Sequence, residues 1–328
     1  MKKKSFAVLT IIILIILFLA LGLQSAQNKK IKTANINIGY QSITAQTWGA
    51  LVIKRLSLIE KYYDQGELNV GWSNFASGPP ITSNMIGGKL DIGFMGDMPL
   101  LINGDFGQNN KYYDSQLIMF DGKGLDGINQ DIIVKNNDNI NKPDDLSGKK
   151  VSVPNSSSAH RHLMQELSLA KIDSSLVNIS FQDIPTAVTL LEKGDIDAIV
   201  VWEPYSTYLT IEKGYKTILK TSKNRYLAGV VANDQFIKNN HDIYKAFELA
   251  LIEAHQLLNS KSPEIIKIVS EESGFSEKVV AKTIQNITWD ETITTDDLLA
   301  LEEDVIFLKN INKISNSFNL NDFVETKK

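Results

Sequence analysis

One local pattern occurs twice in this chain, and it fixes the kind of fold the chain can adopt. Gly88-Lys89-Leu90-Asp91 is followed by the apolar run Ile92-Gly93-Phe94-Met95 and then by Asp97 and Pro99; Gly194-Asp195-Ile196-Asp197 is followed by Ala198-Ile199-Val200-Val201 and then by Glu203 and Pro204. Each copy reads as a helix ended by glycine, an aspartate, a short strand buried on both faces, an acid and a proline. A helix feeding a fully buried strand is the crossover half of an α/β unit, so two copies mean two α/β units. Crossover connections gather the strand C-termini on one edge of each sheet, and ligands bind where such edges meet.

The segments around the repeat fill in these units. Ile36 to Tyr40 reads as a first strand, followed by a polar loop over residues 41–47 and a helix carrying Trp48, Val52, Leu56 and Ile59. Val151 and Val153 alternate with polar neighbours, Pro154-Asn155 breaks the run, and Leu163, Leu167 and Ala170 recur at helical spacing, which leaves Ser156, Ser157 and Ser158 at a helix entrance. The first amides of a helix lack intrahelical acceptors and sit at the positive end of the macrodipole, and serine hydroxyls add rotatable donors, so this entrance suits a small anion. The plainer reading is that Ser158 is an N-cap with loop residues beside it. Asn69 to Trp72 reads as another strand, and Ser77-Gly78-Pro79-Pro80 opens a helix ending at Gly87. Prolines there remove donors that the serine entrance keeps. Beyond about Leu227 the pattern becomes helical: Phe247, Leu251, Ala254 and Leu258 share a face, Ser262-Pro263 and Ser276-Glu277 start helices, Gly274 stops one, and residues 296–310 form another.

Composition narrows the setting. Lys2-Lys3-Lys4 precedes 18 residues, Phe6 to Leu23, without a charge, a pattern that fits an export signal or an N-terminal membrane anchor over residues 1–26 and leaves cleavage open. Lysines at the extreme N-terminus keep that end cytoplasmic and put the rest outside the inner membrane. No cysteine occurs, which removes disulfides, thiol catalysis, cysteine-ligated zinc and a lipid-modified cysteine. The formal charge of -4 becomes -7 once residues 1–26, with three lysines and no acid, are set aside, and no basic run with interleaved aromatics occurs, which argues against nucleic acid. His160 and His162 point in different directions on a helix, and His241 and His255 lie far off, so no histidine metal site is expected. Neither a serine-nucleophile elbow, a phosphate-binding Walker loop nor a zinc-protease motif appears.

Ser77-Gly78-Pro79, Gly88 to Gly93, Asp145-Leu146-Ser147-Gly148-Lys149-Lys150-Val151, Ser157-Ser158-Ala159-His160 and Trp202-Glu203-Pro204-Tyr205, in this order, resemble the extracytoplasmic solute-binding proteins of ABC importers for nitrate, sulfonates and taurine, in the aliphatic-sulfonate branch. The resemblance covers roughly residues 36–323. It implies a type II periplasmic-binding-protein fold, α/β throughout, with two lobes joined by crossings near residues 120–130 and 222–229: lobe one over 34–126, lobe two over 127–223, and lobe one again, with C-terminal helices, over 224–328. It implies no cofactor, no catalysis and a monomer that hands a small anionic or zwitterionic ligand to permease subunits driven by an ATPase. The location implied is periplasmic, or anchored on the outer face of the cytoplasmic membrane. Carried over position by position, the cleft residues are Ser42, Gln46, Thr47, Ser77, Asp97, Met98, Ser157, Ser158, His160 and Trp202. Relatives of the same fold for nitrate, bicarbonate or a thiamine-pyrimidine precursor are the alternatives, with a membrane-tethered sensory domain as a third class. Two departures stand out: no lipid-modified cysteine, and a first loop rich in Gln and Thr.

Asp97 and Glu203 occupy equivalent turns, and acids beside a bare anion repel it. They are helix caps consumed by backbone amides, or point away from the cleft, or Asp97 pairs with an amine on the ligand, as taurine would offer. His160 is either a ligand donor or a capping residue. Trp202 closes a buried strand where ligands sit, which favours a cleft wall over core. Arg161 follows the serine loop but turns away from His160.

Overall fold

The computed structural model describes residues 33–125, 127, 129–218 and 224–325; the leader or anchor expected over residues 1–26 lies outside the described residues. In chain order the strands are β1 (Ala34–Tyr40), β2 (Leu68–Asn74), β3 (Ile92–Gly96), β4 (Ser115–Gly124), β5 (Gln130–Val134) and β6 (Lys150–Val153). They continue with β7 (Asn178–Phe181), β8 (Ala198–Trp202), β9 (Lys216–Thr217), β10 (Tyr226–Asn233) and β11 (Thr288–Trp289). The helices are α1 (Gly49–Leu56), α2 (Leu58–Tyr62), α3 (Gly78–Ile86), α4 (Asp97–Gln108), α5 (Ser158–Leu169), α6 (Ile184–Lys193) and α7 (Tyr205–Ile211). After them come α8 (Asp234–Asn239), α9 (His241–Ser260), α10 (Pro263–Ser273), α11 (Glu277–Gln285), α12 (Thr295–Asn310) and α13 (Leu320–Phe323). None of the described helices is long and apolar enough to cross a membrane.

Two sheets form, one in the order β11-β4-β10-β3-β1-β2 and the other β7-β6-β8-β5-β9. Within each, a parallel trio (β3-β1-β2 and β7-β6-β8) is extended by antiparallel strands. The chain leaves the first sheet after β4, enters the second at β5, and returns after β9 into β10. Phe120 and Gly229 face each other inside the first sheet.

The repeated sequence folds the same way twice. Gly88 and Gly194 take left-handed φ of 68° and 81°, conformations glycine adopts without a Cβ clash. The next amide in each copy bonds back into the helix just ended, Lys89 to Asn84 and Asp195 to Leu190. Asp91 then accepts the amide of Asn37 at 2.8 Å, and Asp197 that of Lys150 at 2.8 Å. Each aspartate thus pins the start of its buried strand to the neighbouring parallel strand, and this is why the pattern carries an acid at that position.

Beyond Leu227 the chain is not helical from the outset, a correction to the sequence reading. Tyr226–Asn233 is a strand between β3 and β4, buried along almost its whole length. A strand covered on both faces shows no apolar alternation, so periodicity could not mark it. The later helices start where their caps indicated: Ser262 accepts from the Ile265 amide and Ser276 from that of Val279.

Helices cover both faces of the first sheet. Phe94 packs edge-on against Phe247 of α9 on one side, with ring centroids 5.8 Å apart, and Met95, Leu117, Phe120, Leu301 and Phe323 fill the other. The second sheet has its own core around Val151, Val153, Leu163, Leu191, Ile199 and Val200. A buried polar knot ties α9 to the sheet: His255 lies between Asp121, at 2.9 Å, and Glu291, at 3.1 Å. Burial alone would lower the His255 pKa, but its hydrogen bonds to the two carboxylates raise it. Asp121 also receives the Gly49 amide at the start of α1, and any Cβ on Gly49 would collide with that carboxylate.

Candidate functional site

A cavity of about 430 Å³ opens between the two sheets. Its walls are the loops that follow all six parallel strands. Gln41 and Ile43 come from beyond β1, Ser77 to Pro79 from beyond β2, and Gly96 and Pro99 from the end of β3. The other half contributes Pro154 to Ser158 from beyond β6, Phe181 to Pro185 from the end of β7, and Trp202 and Tyr205 from the end of β8. Tyr226 reaches in from the start of β10, which runs antiparallel and so presents its opposite end. This is the position that strand direction dictates for a ligand site in open α/β sheets.

The serine loop lies on this wall, and its hydroxyls are spoken for by protein groups. Ser157, one residue before the Ser158 expected from the sequence, is the N-cap of α5: its hydroxyl accepts the His160 amide at 3.1 Å and donates to the Pro154 carbonyl at 2.6 Å. Ser156 adopts a left-handed φ of 52° and directs its amide to His160 Nδ1 at 3.4 Å. Ser158 is buried, with its side chain hydrogen-bonded toward Asp97 and Tyr226. What α5 offers an incoming anion is therefore its first-turn backbone amides and its dipole more than three free hydroxyls. Five helices begin at the cavity wall, but α3 carries Pro79 and Pro80 in its first turn, α4 carries Pro99, α6 carries Pro185 with Asp183 as its cap and α7 follows Pro204, which leaves α5 as the donor-rich one.

Across the cleft the halves touch through defined bonds. Trp202 Nε1 donates to Thr44 Oγ1 at 3.2 Å, and the Ala45 amide donates to the Glu203 carbonyl at 3.0 Å. Arg161 of α5 meets Asp304 of α12 at 2.5 Å and Glu303 at 3.4 Å, and donates to the Arg225 carbonyl.

Comparison with known proteins decides the family. The sequence profile of the NMT1-like family matches residues 29–271. The chain belongs to that family. A relative from Bacillus subtilis (strain 168), named for aliphatic sulfonate binding, is 25% identical over 309 residues, covering 92% of this chain and 88% of its own. The taurine-binding periplasmic protein of Escherichia coli (strain K12) is 25% identical over 269 residues, 79% of each chain. Among solved structures, the alkanesulfonate-binding protein SsuA from Xanthomonas axonopodis pv. citri, bound to MOPS, superimposes with a TM-score of 0.75 at 18% identity, over 89% of this chain and 98% of that one. The two-lobed α/β fold is thus shared with periplasmic binding proteins.

Of the positions expected at the cleft in this NMT1-like chain, Ser77, Ser157, Ser158 and Trp202 line the cavity. The others are not among its lining residues. Ser42 is tied to Asn74, whose amide group bonds its hydroxyl at 2.9 Å. Thr47 donates to the carbonyls of Gln41 and Thr44, which folds the first loop on itself. Gln46 is fully buried against Gly122, and Met98 belongs to the core under the first sheet. Asp97 is fully buried, accepting the amides of Met98 at 2.7 Å and Leu227 at 3.4 Å. Burial pushes its carboxyl up to about 6, with the Arg161 charge pulling it back. Glu203 is consumed in the same manner by Thr207 and Asn286. Of the readings open for these acids, the structure favours carboxylates spent on protein donors away from the ligand, and it gives the amine-pairing role of Asp97 no access. His160 stands one layer back, its ring edge-on to Phe181 at 5.2 Å and to Phe307 at 5.7 Å. Burial lowers its pKa, so it is a neutral support for Phe181 at pH 7.

Sequence reasoning missed the wall formed by Phe181 to Pro185, and missed Gln41, Tyr205 and Tyr226. The first of these was findable, because Asp183-Ile184-Pro185 after a short strand is another strand-to-helix entrance of the kind seen at Ser77. Tyr205 opens the helix after the Trp202-Glu203-Pro204 turn and was equally findable, whereas Tyr226 carried no such signal.

Proposed function

We propose that this chain is the extracytoplasmic solute-binding component of an ABC importer, taking a small sulfonate- or taurine-type oxyanion between its lobes and delivering it to a membrane permease. The observation that carries this reading is the convergence of all six parallel-strand ends, with the α5 N-terminus among them, on one cavity between two sheets. The names of its relatives point the same way. The lobes are residues 34–126 with 224–328, and 127–223. A ligand held at the tip of α5 on one side and by the ends of β1 and β3 on the other adds contacts that exist only when the lobes are together, so binding shifts the population toward the closed form that the permease reads. No chemistry on the ligand is needed for this role. Residues 1–26 direct the chain across the membrane, as a leader or an anchor.

The test is thermal unfolding of the full-length chain in mild detergent against alkyl and aryl sulfonates, taurine, nitrate, bicarbonate and a thiamine pyrimidine. A ligand at 100 times its dissociation constant stabilises by about 2.7 kcal/mol. At about 2.1 cal/mol/K of unfolding entropy per residue that is a rise of roughly 4 °C for a protein of this size. Stabilisation by a sulfonate supports the reading; stabilisation by nitrate, bicarbonate or the pyrimidine alone, or by none of the panel, refutes it.

A further inference from the structure

The charges and rings of the cavity select among sulfonates. Among the described residues, no lysine, arginine or histidine lines it. The acid among the described lining residues, Asp183, sits exposed and spends a carboxylate oxygen on the Thr186 amide at 2.8 Å. An anion in this cleft is therefore held by neutral dipoles, which suits a single negative charge and penalises a second. An amine on the ligand finds only the solvent-exposed Asp183 on the wall, because Asp97 is sealed behind it by the Met98 and Leu227 amides and Glu203 by Thr207 and Asn286. Burying an unpaired ammonium costs more than leaving it in water.

The rest of the wall is aromatic and apolar. Trp202 and Tyr226 lie 6.3 Å apart at 35°, and the Trp202 ring is held in place by its bond to Thr44. Phe181, 48% exposed, stands at the rim with the His160 ring behind it. Tyr205 is fixed from its far side by Phe275, edge-on at 5.3 Å. The volume of about 430 Å³ is of the size that envelops a ligand with a substantial apolar body; a two-carbon sulfonate leaves the exposed Phe181 ring facing water.

Resting on the importer reading above, we infer that the cleft is specific for a sulfonate monoanion bearing an aromatic ring and no amine, with the ring between Trp202 and Phe181 and the sulfonate at the tip of α5. Ring burial against fixed aromatic walls strengthens binding through apolar area and ring geometry, while the amine of taurine adds a desolvation cost with only the exposed Asp183 to meet it.

Isothermal titration calorimetry on the full-length chain in mild detergent, with ethanesulfonate, taurine, benzenesulfonate and naphthalene-2-sulfonate, tests this. Naphthalene-2-sulfonate binds at least tenfold tighter than ethanesulfonate, taurine binds no tighter than ethanesulfonate, and Phe181→Ala cuts the aryl-over-alkyl ratio at least threefold. Phe181 is half exposed, so the variant keeps its fold, and its unliganded melting temperature verifies that. Ethanesulfonate or taurine binding as tightly as the aryl compounds, or an aryl-over-alkyl ratio unmoved in Phe181→Ala, overturns the inference and leaves sulfonate import standing. Failure of every sulfonate to bind overturns both.

Discussion

Arg161 joins the two halves of the molecule, and its removal has a calculable consequence. The guanidinium projects from α5, beside the serine loop, and its side chain is almost completely buried where it meets Asp304 on α12, itself nearly inaccessible. Among the described residues the Asp304 carboxylate has no other hydrogen bond, and burial, with Asp97 close by, pushes it well above the usual carboxylate range while Arg161 pulls it back. Arg161→Met keeps most of the side-chain volume and strands two buried acids beside each other. Breaking a buried pair from one side costs about 3–5 kcal/mol. At roughly 0.6 kcal/mol/K of unfolding entropy for about 300 residues, that is a fall in melting temperature of about 5–8 °C. The loss depends on pH in a definite sense. Asp304 and Asp97 hold their protons more tightly folded than unfolded, so the variant regains stability as pH falls and loses most above neutrality. Urea unfolding at pH 8 and pH 5.5 measures both effects, and Arg161→Met with Asp304→Leu, which replaces the pair by apolar groups, recovers to within about 1 kcal/mol of the parent. A single-variant loss below about 1 kcal/mol, or one equal at the two pH values, would refute the reasoning.

Three further outcomes follow from the same contacts. Ser157→Ala removes the α5 cap and lowers stability by about 1 kcal/mol even without ligand; an unchanged unliganded melting temperature counts against the capping role. Asp91→Ala and Asp197→Ala remove equivalent pins in the two sheets, and each costs about 1 kcal/mol in chemical unfolding; a large loss from one with none from the other shows that the repeat is equivalent in sequence only. The parent protein gains stability as pH falls from 7.5 to 5.5, seen as a rising melting temperature. Asp97 at about 6 and the raised His255 take up protons on folding in this interval, with Asp121 and Glu203 raised in the same sense and the lowered His160 opposing them, whereas the lowered carboxyls Asp290, Glu291 and Asp297 withdraw stability only once pH falls toward the ordinary carboxylate range. A melting temperature that falls steadily across that interval contradicts this assignment.

The sequence by itself determined the features that local physics controls. Glycine stops at Gly88 and Gly194, the aspartates after them, serine caps at Ser262 and Ser276, and the buried runs of β3 and β8 each act within a few residues, so each could be read without knowing what lay across the fold. Strand direction then told where a ligand had to sit. Tertiary structure alone decided which atoms face that place. Tyr226–Asn233 is a central strand because β3 and β4 accept its backbone from both sides, and nothing in its composition announces that. Asp97 and Glu203 look like ligand groups in the linear chain, yet their charge is spent on local donors from Met98 and Thr207 and on Leu227 and Asn286, which only the fold brings to them. The aromatic wall likewise exists only once Phe181, Trp202, Tyr205 and Tyr226 arrive from separate strands and helices. Periodicity records which face of an element is buried, but whether that burial is against core, against a neighbouring lobe or against a guest molecule depends on partners that only packing brings within reach.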